Sequence, residues 1–173
     1  KRDPNASRGL GDVYKRQSLN SPTLNRPTNL TNKVIIVDGM IGGGKELVSS
    51  IISSMPKVEM WMHKVKIEHV CALNHLGHIS LNGAKTLLQT WIDEAYFDLN
   101  MGRDINFRPS DHSSMFYFIK PTTYIKRLFE NKSKAIERVL EEKPAINLMT
   151  HVNTSYAKPL FEACGERLIY ICL

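Results

Sequence analysis

Short apolar runs alternate with stretches of helical period along most of this chain. "KVIIVDG" (Lys33–Gly39) is a β-branched run bounded by Asn32 and Gly39, the pattern of a parallel strand buried on both faces. "ELVSSIISSM" keeps helical spacing until Pro56, where a helix must stop. Lys57–His63 (KVEMWMH) alternates, placing Val58, Met60 and Met62 on one face of a second strand. Met55, Met60, Met62 and Trp61 read as core. Helical spacing returns over Ile67–Leu76 and again over Leu81–Leu99, where Leu87, Leu88, Trp91, Ile92 and Ala95 form a stripe. Gly102–Phe116 loses all period and mixes charge, hydroxyls and aromatics, which predicts a long ordered loop of the kind that carries function. Thr122–Phe129 and Ser133–Glu142 predict two more helices, the second with the alternating charges of an exposed face. Ala145–His151 predicts a third buried strand, Tyr156–Cys164 a helix closed by Gly165, and "RLIYICL" a fourth strand.

Strands alternating with helices predict an α/β domain, doubly wound around a mostly parallel sheet. A parallel strand needs neighbours and cover on both faces. A chain stopping in "RLIYICL" therefore reads as a fragment cut at its end. Residues 1–32 are polar, aperiodic and lack the apolar stretch of a signal peptide. Within them "SRGLGDVYKRQ" looks like translated library-linker sequence, a natural tail being the alternative. The domain is thus expected over 33–173, with a leader over 1–32 and linker over 1–17.

Charge changes this picture little. The formal net charge is +6, but +4 of it falls in the leader, leaving the body nearly neutral. That argues against a broad nucleic-acid face. The three cysteines, Cys71, Cys164 and Cys172, form no CxxC pair, which favours a reducing, cytoplasmic compartment and no zinc site, and no metal ligand is expected. No apolar run is long enough to predict a membrane span.

The chemistry concentrates in "GMIGGGKE", Gly39, Met40, Ile41, Gly42, Gly43, Gly44, Lys45 and Glu46. It fits GxxxxGK between a predicted strand and a predicted helix. Such glycines let backbone N–H groups converge on a phosphate at a helix N-terminus, and the lysine adds a mobile positive charge. The plain alternative is a tight strand-to-helix turn with an exposed Lys45. Nucleoside-triphosphate enzymes follow the lysine with a hydroxyl that holds Mg²⁺; here Glu46 stands instead. A carboxylate pointing at a phosphate ~4 Å away costs about 4 kcal/mol at an effective dielectric near 20. Pointing away, it complements the helix dipole by about 0.3–1 kcal/mol. The loop is read as a phosphate site without a metal ligand.

These features, in this order, resemble the sulfotransferases, a P-loop family using 3′-phosphoadenylyl sulfate. A strand and glycine loop open the domain, a long helical middle follows, then a strand ending in Thr150-His151, a short helix and "RLIYICL". The resemblance spans Lys33 to Leu173 and is strongest at its two ends. It implies a P-loop NTPase-like three-layer fold and sulfonate transfer to a hydroxyl or amine of a small-molecule or glycan acceptor. Lys45 and the loop would take the 5′-phosphosulfate, and His151 would be the general base, a role suited to imidazole near neutral pH. The family's Arg that holds the 3′-phosphate would follow Leu173. The family's loop hydroxyls are absent here, and its Lys-Thr-His appears as Met149-Thr150-His151. A kinase or nucleotide hydrolase using ATP with Mg²⁺, held by an acidic group such as Asp38, is the second reading. A nucleotide-binding scaffold without turnover is the third.

Within the predicted loop, Arg103, Arg108, Asp111, Ser113 and Ser114 are candidates to grip an anion or orient an acceptor. Arg–Asp pairs that merely tie the loop down are the structural alternative. His69, His75 and His78 lie near one another on a predicted helix, but the i,i+3 pair His75/His78 lacks a third nearby carboxylate or thiol, so the three read as a surface or packed histidine face rather than a metal site. A lone histidine at a strand end is equally the plain reading of His151.

Overall fold

The structure, a computed structural model, describes residues 29–173. The linker-like stretch and residues 1–28 lie outside the described residues. The domain is α/β, with a four-stranded, all-parallel sheet and helices on both faces. In chain order the elements are β1 (Val34–Asp38), α1 (Lys45–Ser53), β2 (Val58–His63), α2 (Val65–His75), α3 (Leu81–Asn100), α4 (Pro121–Arg127), α5 (Lys132–Glu137), β3 (Ala145–Met149), α6 (Lys158–Cys164) and β4 (Leu168–Cys172). The strand order is β2-β3-β1-β4. All four strands fall where the apolar runs predict them, within two residues at each end.

β1 sits inside the sheet, paired with β3 and β4, and every residue of VIIVD is buried. Its alternation divides the core. Val34 and Ile36 join the larger cluster with Leu88, Ile92, Tyr96 and Leu160 of α3 and α6. Ile35 and Val37 face Ile52 and Val48 of α1 on the other side. Burying one such aliphatic side chain contributes about 1.5–3 kcal/mol. β4 is only half-buried along its length.

α3 starts at Ser80, whose hydroxyl accepts from Gly83 N–H at 3.1 Å, a capping contact worth about 1 kcal/mol. Its buried face runs Ala84, Leu88, Ile92, Ala95, Tyr96 and Leu99. The predicted stripe is thus rotated, leaving Leu87 37% exposed. The reason is that Leu87-Leu88 and Trp91-Ile92 are adjacent pairs, which do not by themselves define a face. The Trp91 ring instead lies under the Lys66 ammonium, 5.3 Å from its centroid. Met60, Trp61 and Met62 are core as expected, whereas Met55 is half exposed beyond the end of α1.

Two polar networks fix what the apolar contacts leave free. Asn147, buried in β3, donates from Nδ2 to Ser49 O and Ser53 Oγ, both at 2.9 Å, which sets α1 on the sheet. Thr31 is buried, donates to Asp93 Oδ1 from both its backbone N–H and its hydroxyl, and accepts from Arg167. The structured domain therefore takes in Leu30 and Thr31, which by composition belong with the leader.

Candidate active site

The C-terminal ends of β1, β2 and β3 bring the candidate groups together, as expected of a parallel sheet. β1 ends at Asp38 and the glycine loop follows directly. Gly39 has φ +148°, and a Cβ there would meet the Leu173 carbonyl oxygen at 2.4 Å. No other residue fits so close to the end of β4. Gly44, at φ +81°, ends the loop in the left-handed region and opens α1 without any side-chain cap. The first N–H groups of α1 therefore have no helical carbonyl to bond and are free to meet an anion.

Lys45 is buried, not exposed as a simple turn would leave it. Its ammonium donates to Gly39 O at 2.5 Å and Met40 O at 2.8 Å, folding the side chain back over the loop. Met40 and Ile41 at the tip are exposed. Glu46 turns outward, its carboxylate 3.2 Å from Nδ1 of His112 on the long loop. A cleft of about 380 Å³ is lined by Ile41, Gly42, Gly44, Lys45, Glu46, Leu47, Met149 and His151. The loop and His151 thus share one cleft.

Asp38 is fully buried and already engaged. Its Oδ1 accepts from Thr150 Oγ1 at 2.9 Å and Asn153 N–H at 3.0 Å. Its Oδ2 accepts from Thr154 Oγ1 at 2.5 Å and Tyr170 OH at 2.8 Å. Burial opposes its charge, but these hydrogen bonds outweigh burial and hold the carboxyl below its usual range. Four donors fill the lone-pair sites of a carboxylate, so Asp38 ties the ends of β1, β3 and β4 together.

His151 follows β3 in a strained turn. Thr150 N–H donates to Val37 O and Val152 N–H to Gly39 O, so the chain tracks the start of the glycine loop. Val152 has φ +50°, a conformation that β-branched residues rarely adopt. The His151 N–H donates to Glu68 Oε1 at 2.7 Å, and its Nδ1 lies 3.2 Å from the same oxygen. His63, the last residue of β2, places Nε2 3.1 Å from Glu68 Oε1 and 3.1 Å from His151 Nδ1.

The other candidates lie away from this cleft. Arg103 pairs with Asp98 at 3.6 Å and sits over the Phe97 ring. Arg108 is largely exposed, its Nε 3.9 Å from Asp111. Ser113 Oγ accepts from Asn106 Nδ2, and Ser114 caps the short turn at Met115–Tyr117. Ser113, Ser114 and His112 line a second cleft of about 180 Å³ with Trp61, Tyr117 and Phe118. The two clefts meet at the Glu46–His112 contact. His75 packs on Tyr156, and His69 and His78 are exposed. Among the described residues, three candidate ligands converge at His63, Glu68 and His151 instead.

Sequence reasoning misses His63, Glu68 and His112. The available signal was that two predicted strands, KVEMWMH and AINLMTH, both end in histidine. Only the pairing of β2 with β3, which sets His63 opposite Met149, turns that into a site. Compared with known proteins, the chain matches no family model, no curated protein and no solved structure.

Proposed function

We propose that the chain is a sulfotransferase-like domain on a P-loop architecture. The Gly39–Glu46 loop would hold the 5′-phosphosulfate of 3′-phosphoadenylyl sulfate, and the sulfonate would pass to a hydroxyl or amine of a small-molecule or glycan acceptor. One observation carries the reading: a buried, inward-folded Lys45 shares a cleft with a histidine held by a carboxylate, while Glu46, on the wall of that cleft, turns its carboxylate to His112. The first amides of α1, free of helical partners, and the Lys45 ammonium suit the phosphate. Lys45 would exchange its two carbonyls for phosphate oxygens.

With Glu68 accepting from Nδ1–H, the lone pair of His151 is left on Nε2. In the proposed step the acceptor oxygen or nitrogen attacks sulfur as the sulfur–oxygen bond to the 5′-phosphate breaks. The acceptor proton passes to His151 Nε2. The electron pair of the broken bond leaves with the phosphate, as adenosine 3′,5′-bisphosphate. The loop and Lys45 stabilise the charge that develops there. The kinase reading lacks support at Asp38, whose lone pairs are taken up by protein donors.

Calorimetry with adenosine 3′,5′-bisphosphate tests this. Binding is expected to be equal in EDTA and in magnesium, and Lys45→Ala is expected to weaken it by about 1.5–3 kcal/mol, roughly 10- to 150-fold. A magnesium requirement abolished by changing Glu46 or Asp38 would replace this reading with the kinase.

A further inference from the structure

We infer that His63 Nε2, Glu68 Oε1 and His151 Nδ1 form a binding site for a divalent transition metal of the zinc class. The three atoms make a nearly regular triangle with edges of 3.1, 3.1 and 3.2 Å. With Glu68 ionised, protons cannot make a hydrogen bond along every edge of this triangle. A facing imidazole nitrogen either donates or accepts, never both. If both facing nitrogens carry protons, their N–H groups oppose each other across the 3.1 Å edge. If only one does, the other nitrogen sets its lone pair against the carboxylate. If neither does, all three edges are repulsive. A single cation in front of the triangle satisfies every edge at once.

The dimensions agree with that cation. Zinc bonds imidazole nitrogen and carboxylate oxygen at about 2.0–2.2 Å, which gives a tetrahedron with edges of about 3.3–3.6 Å. The observed edges are short of this by a few tenths of an ångström. Two imidazoles and one carboxylate also suit zinc, cobalt or nickel, whereas magnesium and calcium prefer all-oxygen sets. The side chains are 31%, 19% and 29% exposed, so an ion can enter and a fourth position stays open to solvent or ligand.

The supports are stiff. His63 ends β2, Glu68 lies in α2, and His151 leaves β3 beside it. Glu68 Oε1 also accepts the His151 N–H, which fixes the carboxylate against the turn that carries its fellow ligand. The two imidazole planes stand 79° apart with centroids at 4.5 Å, edge to face rather than stacked. Occupancy has a consequence that rests on the sulfonate-transfer reading. A metal on His151 Nδ1 leaves the proton on Nε2, so the loaded site cannot take a proton from the acceptor. The ion would hold the base in its inactive form.

The test is a cobalt titration of the EDTA-treated full chain, followed by visible absorption. One equivalent is expected to give the intense bands of four-coordinate cobalt without a thiolate charge-transfer band, and zinc is expected to displace it. His63→Ala and Glu68→Gln are each expected to weaken binding at least 10-fold. Glu68→Gln keeps an oxygen for the His151 N–H, so it reports on the metal even if His63→Ala fails to fold. No binding by the wild-type chain at micromolar cobalt, a thiolate band from Cys172, or wild-type affinity in Glu68→Gln would each overturn the site. Binding of adenosine 3′,5′-bisphosphate, measured separately, decides the transfer reading whichever way the cobalt result falls.

Discussion

Glu59 and Glu68 belong to the same β2–α2 unit, yet they are held in opposite ways. Glu59 is almost wholly buried and meets Arg127 in a bidentate pair at 2.8 and 2.9 Å, with the Tyr124 hydroxyl donating at 2.7 Å. Burial, then the nearby Glu59 charge, pushes the Tyr124 phenol well above its usual range, so it stays a donor. Tyr124 also accepts the Met60 N–H, and Arg127 reaches Leu99 O. The Tyr124 hydroxyl and both terminal nitrogens of Arg127 have acceptors, only Arg127 Nε going without, and the cluster locks α4 to the sheet. Glu68, by contrast, offers one oxygen to three nitrogens, and with that carboxylate ionised no arrangement of protons makes a hydrogen bond of every contact in the triangle. A closed polar cluster holds a fold together, and an open one is a place to put something.

The largest expected effect separates these two roles. Arg127→Met leaves Glu59 buried without its cation and is expected to cost about 3–5 kcal/mol in urea denaturation. Adding Glu59→Leu should return most of that loss. Glu68→Gln, at the open cluster, is expected to change stability by less than about 1 kcal/mol. Equal losses at the two carboxylates would erase the contrast.

Asp38 gives an intermediate effect and belongs with the closed kind. Its folded pKa lies below its ordinary value of 3.8. Its contribution is therefore fully present above that value and is lost as pH falls below it, through the depressed folded pKa. Asp38→Asn is expected to cost about 1–3 kcal/mol at neutral pH and to flatten stability against pH at the acid end. Denaturation midpoints measured from neutral pH down to the acid limb check both. An unchanged acid limb would remove Asp38 from the closed class.

The smallest effect sharpens the open side. Val152 stands next to His151 in the left-handed region with its side chain half exposed. Asparagine tolerates that conformation better, so Val152→Asn is expected to raise stability by about 1 kcal/mol. A loss would show that the valine side chain, not backbone strain, governs this turn.

How far the sequence carried can be argued from these same residues. The strands were legible because β-branched and alternating runs have few other uses, and Gly39, Pro56 and Gly165 mark where elements change. The glycine loop was legible because its residues are contiguous. The rotation of α3 was not, since two adjacent apolar pairs leave its face undecided. The Glu59–Arg127 pair and the His63–Glu68–His151 triangle were not either. Each joins residues far apart in the chain, and nothing local in KVEMWMH says whether its charge will be buried or its histidine will meet another. Glu46 was legible in part. Its outward direction follows from repulsion, but its partner His112 comes from a loop with no period.

The strand order β2-β3-β1-β4 also governs when the sheet can exist. β1 skips its neighbour in sequence, β2, and pairs with β3 and β4, while β2 pairs only with β3. Val34 finds its first partner at Ile146. On a ribosome adding about 5–20 residues per second, β1 and β2 wait roughly 5–20 s before any strand they can pair with is made. Until then their apolar faces depend on α1, α2 and α3 for cover. Closing such distant pairings is slow, and β3, with Asn147 on one side and His151 just past its end, is the strand whose arrival joins β1 and β2 in one sheet and brings His151 to the cleft.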